Sequence, residues 1–216
     1  LWQGAGRYAN QRQLRFAITA FMLKTGSRLH NIGFKHGSIN LAGQLPNTYY
    51  LPNLSAERHI GRLFADKLKA LVDFYQRAST QRSVVISTGS ATALDVPDNS
   101  IDYCLTDPPF GGFVHYGELN FVWETWLGVM ANRTAEAIIY EQGGKDHVAY
   151  QDLMARAFCE IYRVLKPNSH FYLFCDQETM FLAKPLAEEA GFRFWKPLVW
   201  DKMKIGMGYH YRARYE

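Results

Sequence analysis

Apolar residues recur at helical spacing in the first third of the chain, and the pattern changes near residue 83. The first predicted helix carries an apolar stripe and closes at Gly26. Its apolar positions are Leu14, Ala17, Ile18, Phe21 and Met22. A second helix is predicted from Ser55, as its N-cap, to about Arg77. Residues 31–54 are rich in Gly, Asn and Pro, which predicts loops with a short hairpin near Thr48–Leu51.

From Ser83 onward, short apolar runs alternate with helical stretches. The predicted strands are Val84–Ile86, Ile101–Thr106, His170–Cys175, Phe192–Trp200 and Tyr209–Tyr215. One helix is predicted at about 149–165, and a second is predicted after Asp176 as its cap, interrupted by Pro185 and closed by Gly191. The apolar face of the first helix comprises Leu153, Met154, Ala157, Phe158, Ile161 and Val164. A turn is predicted at Lys166-Pro167-Asn168. This alternation predicts an α/β fold with a mainly parallel sheet over residues 83–216, preceded by a basic, mainly helical accessory or insertion region over residues 1–82.

Composition narrows the class of protein. Hydrophobic residues make up 48% and charged residues 20% of the 216 residues, which is ordinary for a globular chain and excludes bulk disorder. The three cysteines lie far apart, which argues against a disulfide scaffold and a cysteine-based zinc site, so we expect no metal. No apolar run approaches the roughly 18 residues that a membrane span needs. We expect a soluble, cytoplasmic protein with no membrane partner.

Charge is segregated along the chain. Residues 1–82 carry 12 Lys and Arg against 3 Asp and Glu, a net charge of +9, and residues 83–192 carry 6 against 15, a net charge of −9. Residues 193–216 carry 6 against 2, a net charge of +4. Basic segments on both sides of an acidic middle suit a polyanion-binding protein. Arg-rich solvated helix faces would produce the same totals, so charge alone leaves both interpretations open.

The tetrapeptide Asp107-Pro108-Pro109-Phe110 directly follows the predicted strand Ile101–Thr106. In open α/β sheets, ligands bind outside the carboxyl ends of the strands. Two consecutive prolines remove two backbone donors, so the turn presents a carboxylate and carbonyl oxygens, all acceptors. This chemistry suits a planar ring with an exocyclic amino group, whose hydrogens Asp107 and the Pro108 carbonyl would accept while Phe110 stacks on the ring. The alternative is a tight turn in which Asp107 only caps the next segment.

Further segments extend this interpretation to a known family. They are Gly89–Leu94, Val96–Asp102, Arg163–Asn168, Leu198–Lys202, Gly206–Tyr209 and Arg212–Glu216. With the tetrapeptide, and in this order, they make residues 84–216 resemble the amino-group DNA methyltransferases. The resemblance implies a Rossmann-like, S-adenosylmethionine-dependent methyltransferase sheet, here partial, in an enzyme of the restriction–modification type. It also implies a DNA partner and a target base that is flipped out of the duplex to receive the methyl group.

The resemblance assigns roles to individual residues. The catalytic residues would be Asp107, Pro108, Pro109 and Phe110. The residues that contact S-adenosylmethionine would be Gly89, Ser90, Ala91 and Asp107. The residues that bind substrate would be Phe110, Gly111, His115 and Tyr116. From their charge rather than from the resemblance, we also expect the tail cations to bind substrate through DNA phosphates; these are Lys202, Lys204, Arg212 and Arg214. Two adjacent glycines, Gly111 and Gly112, would form a mobile hinge beside the site, and no cysteine nucleophile is required.

Two departures from the family pattern modify this expectation. In the family, the residue at the position of Ser90 is usually an aspartate, which hydrogen-bonds to the adenine of the cofactor. No glycine-rich FxGxG-type loop on a first strand appears in residues 1–216, nor does the acidic strand end that should follow it. We therefore expect a catalytic half, with a second chain or a missing segment supplying the glycine-rich cofactor loop.

The predicted function is methyl transfer to the exocyclic amine of adenine, since the aspartate form of the tetrapeptide favours adenine over cytosine in this family. Two alternatives remain open. One is methylation of RNA bases or protein glutamine amides, although those enzymes usually have asparagine at the first position of the tetrapeptide. The other is a catalytically silent nucleic-acid-binding fragment.

Overall fold

The computed structural model of the chain describes residues 11–20, 22, 32–41, 51–54, 59–77, 83–201 and 203. The chain divides into two compact units. The first comprises Leu1–Ile86 with Glu118–Met130, and the second comprises Ser87–Gly117 with Ala131–Glu216. The hydrophobic pattern contains no signal that residues 118–130 belong with the first unit. An accessory role for residues 1–82 stays a prediction.

The described helices and strands are, in chain order, α1 (Gln11–Thr19), β1 (Ile32–Lys35), β2 (Ser38–Leu41), α2 (Ile60–Arg77), β3 (Ile101–Thr106), α3 (Tyr116–Leu119), α4 (Phe121–Leu127), α5 (His147–Val164), β4 (Leu165–Leu173) and α6 (Gln177–Glu189). Two short 3₁₀ turns lie at Arg133–Ala135 and Glu141–Gly143. Mixed helices and strands with a parallel pair confirm the α/β class in its general form.

Two helices of the first unit, α1 and α2, were predicted from the sequence, and both form, although α1 ends at Thr19, before the predicted close at Gly26. Ile18 of α1 is buried against a small apolar group, which comprises Leu14, Met22 and Phe64. The second helix begins later than predicted, at Ile60 rather than just after Ser55, a residue outside the described part of the chain. His59 explains this start, because its Nδ1 accepts a hydrogen bond from the backbone N–H of Arg62 at 3.1 Å and so caps the first turn.

The hairpin lies elsewhere than predicted. The structure pairs β1 with β2 antiparallel around the two-residue loop His36-Gly37, whose φ angles are 51° and 75°. Two positive φ angles define the I′ turn that matches the twist of paired strands, and histidine is one of the few residues other than glycine that are enriched in this conformation. The predicted hairpin near Thr48–Leu51 falls largely outside the described residues, and residues 51–54 form no strand.

The sheet of the second unit is the parallel pair β3–β4. Ile101 lies opposite Leu165, and Tyr103 lies opposite His170, so β4 carries extra residues between these two pairs. The predicted turn at Lys166-Pro167-Asn168 is therefore a bulge within β4, and Asn168 has φ 64°. The Lys166 ammonium lies 2.5 Å from the Asp102 carboxylate across the bulge.

Both helices predicted beside this sheet form, and aspartates begin them. Asp146 Oδ1 accepts from the Ala149 N–H at 2.8 Å, and Asp176 Oδ1 accepts from the Thr179 N–H at 2.8 Å. The predicted interruption at Pro185 is wrong, because α6 continues through it to Glu189. Proline removes a single N–H donor from the helix, and this loss is outweighed here by the packing of residues on both sides of it.

The core of the second unit lies between the β3–β4 pair and the two helices. The buried residues of this core are Tyr150, Met154, Phe158, Ile161, Leu165 and Ala183. Phe158 on α5 meets Phe171 on β4 with ring centroids 5.7 Å apart. The apolar face predicted for residues 149–165 is thus the face that packs on the sheet.

Two predicted strands do not form. Val84, Val85 and Ile86 are 74%, 92% and 91% exposed and belong to no strand, and residues 193–200 are likewise irregular. A strand is stable only when a neighbour satisfies its backbone groups, and within the described residues β3 and β4 pair with each other alone. Tyr209–Tyr215 lies outside the described residues.

Candidate active site

The tetrapeptide begins where the parallel ladder ends. The N–H of Phe174 donates to the Thr106 carbonyl at 2.9 Å, and Asp107 is the next residue. The Asp107 side chain is exposed, and in the described part of the chain no hydrogen bond or ion pair engages its carboxylate. Pro108, Pro109 and Phe110 are half-buried. An exposed carboxylate with no partner in the described part of the chain therefore stands at the carboxyl end of a strand, three residues before an aromatic residue.

A buried tyrosine supports this turn from within the core. Tyr150, in the first turn of α5, is 1% exposed, and its hydroxyl donates to the Pro109 carbonyl at 2.8 Å. Burial raises the pKa of the Tyr150 phenol, while hydrogen bonding from the Gly111 backbone and the Thr179 side chain partly opposes that rise. The phenol therefore keeps its proton at neutral pH and acts as a donor.

The two glycines after the tetrapeptide meet a close backbone neighbour. Gly111 has φ 57°, and its carbonyl accepts from the Ile139 N–H at 3.2 Å. A Cβ built on Gly112 would lie 2.7 Å from the Ile139 carbonyl oxygen. Glycine is therefore required here by a left-handed backbone angle at one position and by a close approach at the other. The mobile hinge expected at these glycines stays a prediction.

His115 and Tyr116 lie on the same loop, at the start of α3. The half-buried His115 ring meets the Tyr140 ring edge-on at 4.8 Å, while Tyr116 is 49% exposed. The loop closes at Gly117, whose N–H donates to Glu136 Oε1 at 2.8 Å and whose carbonyl accepts from Arg133 at 3.3 Å. The segment 133–140 thus holds the loop at both of its ends.

The predicted cofactor edge, Gly89-Ser90-Ala91, is an exposed turn in the second unit. The Ser90 hydroxyl lies 2.8 Å from the Thr92 hydroxyl and accepts from the Thr92 N–H at 3.2 Å. The Ser90 hydrogen bonds that the structure describes are all local to the turn. A Cβ on Gly89 would meet nothing within 4 Å, so no steric demand explains this glycine.

The loop that leads into β3, residues 94–100, is fastened by an arginine near the end of α5. Arg163 donates to the carbonyls of Leu94 and Val96, each at 3.0 Å, and it forms ion pairs with Asp98 and Glu160. Glu160 in turn accepts from the Leu94 N–H at 2.9 Å. Hydrogen bonds from Arg163 and Leu94 lower the pKa of Glu160 to about 2. Hydrogen bonds to Glu160 and Asp98 in turn raise the pKa of Arg163.

Arg163 lies in a predicted family motif, but its partners in the loop before β3 were missed because they lie 65 to 69 positions earlier in the chain. Tyr150 and Ile139 were also missed, since neither has a local sequence signal that ties it to the tetrapeptide. Lys202, Lys204, Arg212 and Arg214 lie outside the described residues.

The described residues provide neither a metal-binding cluster nor a membrane-spanning helix. In the described ranges, no group of three or more His, Cys, Asp and Glu side chains is placed to hold a metal ion. The same ranges contain no helix that is both long and apolar enough to cross a membrane. The three cysteines are free, and burial raises the pKa of the Cys104 and Cys175 thiols, which keeps them protonated.

Comparison with known proteins places the chain in a class. A family model described as DNA methylase, of the N6/N4 methyltransferase type, matches residues 101–216, more than half of the chain. The matched region begins at the first residue of β3 and includes the tetrapeptide and both helices that pack on the sheet. The chain therefore belongs to this family of DNA methylases, and the resemblance seen in the sequence is confirmed. No curated protein and no solved structure matched the chain.

Proposed function

We propose that this chain transfers a methyl group from S-adenosylmethionine to the N6 amino group of an adenine flipped out of duplex DNA. The observation that carries the proposal is the exposed carboxylate of Asp107 at the carboxyl end of β3, which has no partner among the described residues and is followed within the same turn by Phe110. The proposal includes a Rossmann-like sheet, of which β3 and β4 are two neighbouring parallel strands. Membership of the DNA methylase family supports both statements.

The turn is suited to holding an amine because it offers acceptors. Asp107 and the Pro108 carbonyl would each accept one amine hydrogen, which turns the nitrogen lone pair away from the turn and toward the methyl donor. S-adenosylmethionine would supply the methyl group to the amine nitrogen that Asp107 and the Pro108 carbonyl hold, and the amine would then release one proton to water. Positioning of the amine and stabilisation of the charge that develops on it would provide the rate enhancement.

Base flipping follows from geometry. The amino group of a paired adenine is engaged in the duplex, so the base has to leave the stack before Asp107 can reach it. Phe110 would then hold the flipped base by stacking. Ring stacking of this kind is worth about 1–3 kcal/mol per base in single-strand binding proteins.

S-adenosylmethionine, when bound, supplies the activated methyl group. The donor set of this chain suits part of that molecule, because the exposed Ser90 hydroxyl and the Asp107 carboxylate are both able to accept from its amino groups. Gly89 and Ala91 would border the cofactor on the same edge. We propose that a glycine-rich loop from a second chain or from a segment outside residues 1–216 completes the site.

The basic segments would bind the phosphates of DNA. The net charge is +9 over residues 1–82 and +4 over residues 193–216, the latter including Lys202, Lys204, Arg212 and Arg214. We predict that duplex affinity falls with salt with a log–log slope of about −0.9 per neutralised phosphate. A filter-binding titration at several salt concentrations measures this slope, and replacing Lys202 and Lys204 by Gln should make it shallower. Binding that does not change with salt would contradict a nucleic-acid substrate.

Asp107→Ala tests the proposed function directly. In single-turnover transfer of a labelled methyl group to random-sequence duplex DNA, with any required second segment present, we expect the rate to fall about 10²–10³-fold, the size of the loss on removing one oxyanion-hole donor. Asp95→Ala is the matched control, because Asp95 is an exposed carboxylate in the loop before β3. The control should keep the normal rate. A normal rate in the Asp107 variant would show that Asp107 is not a catalytic residue.

A further inference from the structure

The Tyr150 hydroxyl is the one side-chain group that the structure shows bonded to the tetrapeptide. It donates to the Pro109 carbonyl at 2.8 Å across 41 positions of sequence. Its ring is almost completely buried in the core, among residues that include Met154 and Ala183. The ring therefore has a fixed position, and the hydroxyl places the Pro109 peptide relative to that core.

Gly111, on the other side of Phe110, and Thr179, a residue 3% exposed in the first turn of α6, both lie close enough to the phenol to oppose the rise of its pKa that burial causes. Pro109 and Gly111 are the residues immediately before and after Phe110. The hydroxyl thus fixes the Pro109 peptide, which leads directly into Phe110, and ties it to α5.

We infer that Tyr150 is a positioning residue, which holds Asp107 and Phe110 in the geometry that methyl transfer requires. This inference rests on the proposed function. Tyr150 itself is buried beneath the turn and does not touch the substrate. Its effect would come through the turn, because displacing reacting groups by about 1 Å is enough to cost about 100-fold in rate.

Tyr150→Phe removes the hydroxyl and keeps the ring, and Tyr162→Phe is the matched control. Tyr162 lies on the same helix, is 51% exposed and packs its ring on Phe192 at 5.1 Å, far in sequence from the tetrapeptide. With saturating DNA, we expect the single-turnover rate of Tyr150→Phe to fall by about 10- to 100-fold, while the KM for DNA stays within about twofold, since phosphate contacts are unaffected. The control should match the native protein in both.

Amide hydrogen exchange in Phe110–Phe113 gives a readout that needs no catalysis. We expect faster exchange there in Tyr150→Phe, with no change in the control, because local opening is governed by the contacts that hold the segment. Thr179→Val removes only one partner of the phenol and should shift both measurements in the same direction by less. This variant also tests the inference if Tyr150→Phe does not fold.

The outcomes separate the inference from the function on which it rests. If the native protein, with any required second segment present, methylates no DNA while exchange rises in the Tyr150 variant, the proposed function is wrong and the support of the turn by Tyr150 stands. If the native protein is active and both Tyr150→Phe and Thr179→Val keep native rates and native exchange, the inference is wrong. A change in KM with an unchanged rate would also overturn it.

Discussion

The loop that enters β3 and the loop that leaves it are both fastened to α5, but by opposite means. The entering loop, residues 94–100, is held near the end of the helix by the Arg163 guanidinium and its carboxylate partners. The leaving loop, residues 107–112, is held near the start of the helix by the neutral Tyr150 phenol and by close backbone contact with Ile139. One attachment is ionic and reaches solvent, whereas the other is neutral and buried.

This difference follows from what each loop has to do. An ionic attachment near solvent avoids the cost of burying charge, which suits a loop that only has to be held in place. A cation placed equally close to the tetrapeptide would pair with Asp107 and occupy the acceptor that the proposed reaction needs. A neutral phenol fixes the backbone without competing for that carboxylate. Under the proposed function, the entering loop therefore has a structural role and the leaving loop has a chemical role.

Among the variants that test this difference between the two loops, we expect the largest effect from substitution of Phe110. Phe110→Ala should weaken binding of the flipped base by about 1–3 kcal/mol through lost stacking, while Phe110→Trp should be tolerated. The measurement is the affinity for a duplex that carries 2-aminopurine at the target position. Phe113→Ala is the control in the same loop, since its ring is 73% exposed. Equal tolerance of Ala and Trp at position 110 would show that the ring is not the base platform.

A matched pair of glycines tests the backbone contact. Gly112→Ala would place a Cβ 2.7 Å from the Ile139 carbonyl, and such overpacking typically costs about 1–3 kcal/mol in the free energy of unfolding. Gly89→Ala adds the same atom into open space and should change stability by less than about 1 kcal/mol, in the stabilising direction. Urea unfolding of both variants measures the difference. Equal stabilities would mean that the leaving loop is not tightly packed against residue 139.

The smallest expected effect is on the pH dependence of stability, and it should differ in sign between the two loops. The pKa of Glu160 is lowered from 4.5 to about 2, so its contribution is fully present above pH 4.5 and is lost as the pH falls toward 2. The stability difference between the native protein and Glu160→Gln should shrink over that range. High salt should reduce it as well, since the pair reaches solvent.

The leaving loop should respond to base instead. The pKa of Tyr150 is raised from 10.0 by burial, so the stability it provides is present below pH 10 and is lost as the pH rises beyond that value. The two attachments are compared by urea unfolding of the native protein and Tyr150→Phe, in the acidic range over which Glu160 titrates and in the basic range over which Tyr150 titrates. The predicted difference between the two loops would be wrong if the stability lost in Tyr150→Phe depended on acid pH. It would also be wrong if the stability lost in Glu160→Gln did not depend on acid pH.

Local signals in the sequence were sufficient for part of the fold. The period of the apolar positions predicted α5, and its buried face is the predicted one. The cap at Asp176 was predicted because an aspartate satisfies free N–H groups within three residues of itself. The tetrapeptide was located at a strand end for the same reason, since the strand Ile101–Thr106 and the Pro-Pro turn are both readable from a few neighbouring residues.

Pairing between distant segments was decided only by the tertiary structure. The apolar runs Val84–Ile86 and Phe192–Trp200 have strand composition, yet a strand also requires a partner, and composition does not reveal whether one is present. The support of the tetrapeptide by Tyr150 and the close approach of Ile139 to Gly112 likewise depend on how α5 and the segment before it return to β3. The sequence by itself determined which groups stand at the site, because their chemistry is local. Their geometry depends on contacts between residues tens of positions apart, and only the folded chain brings those residues together.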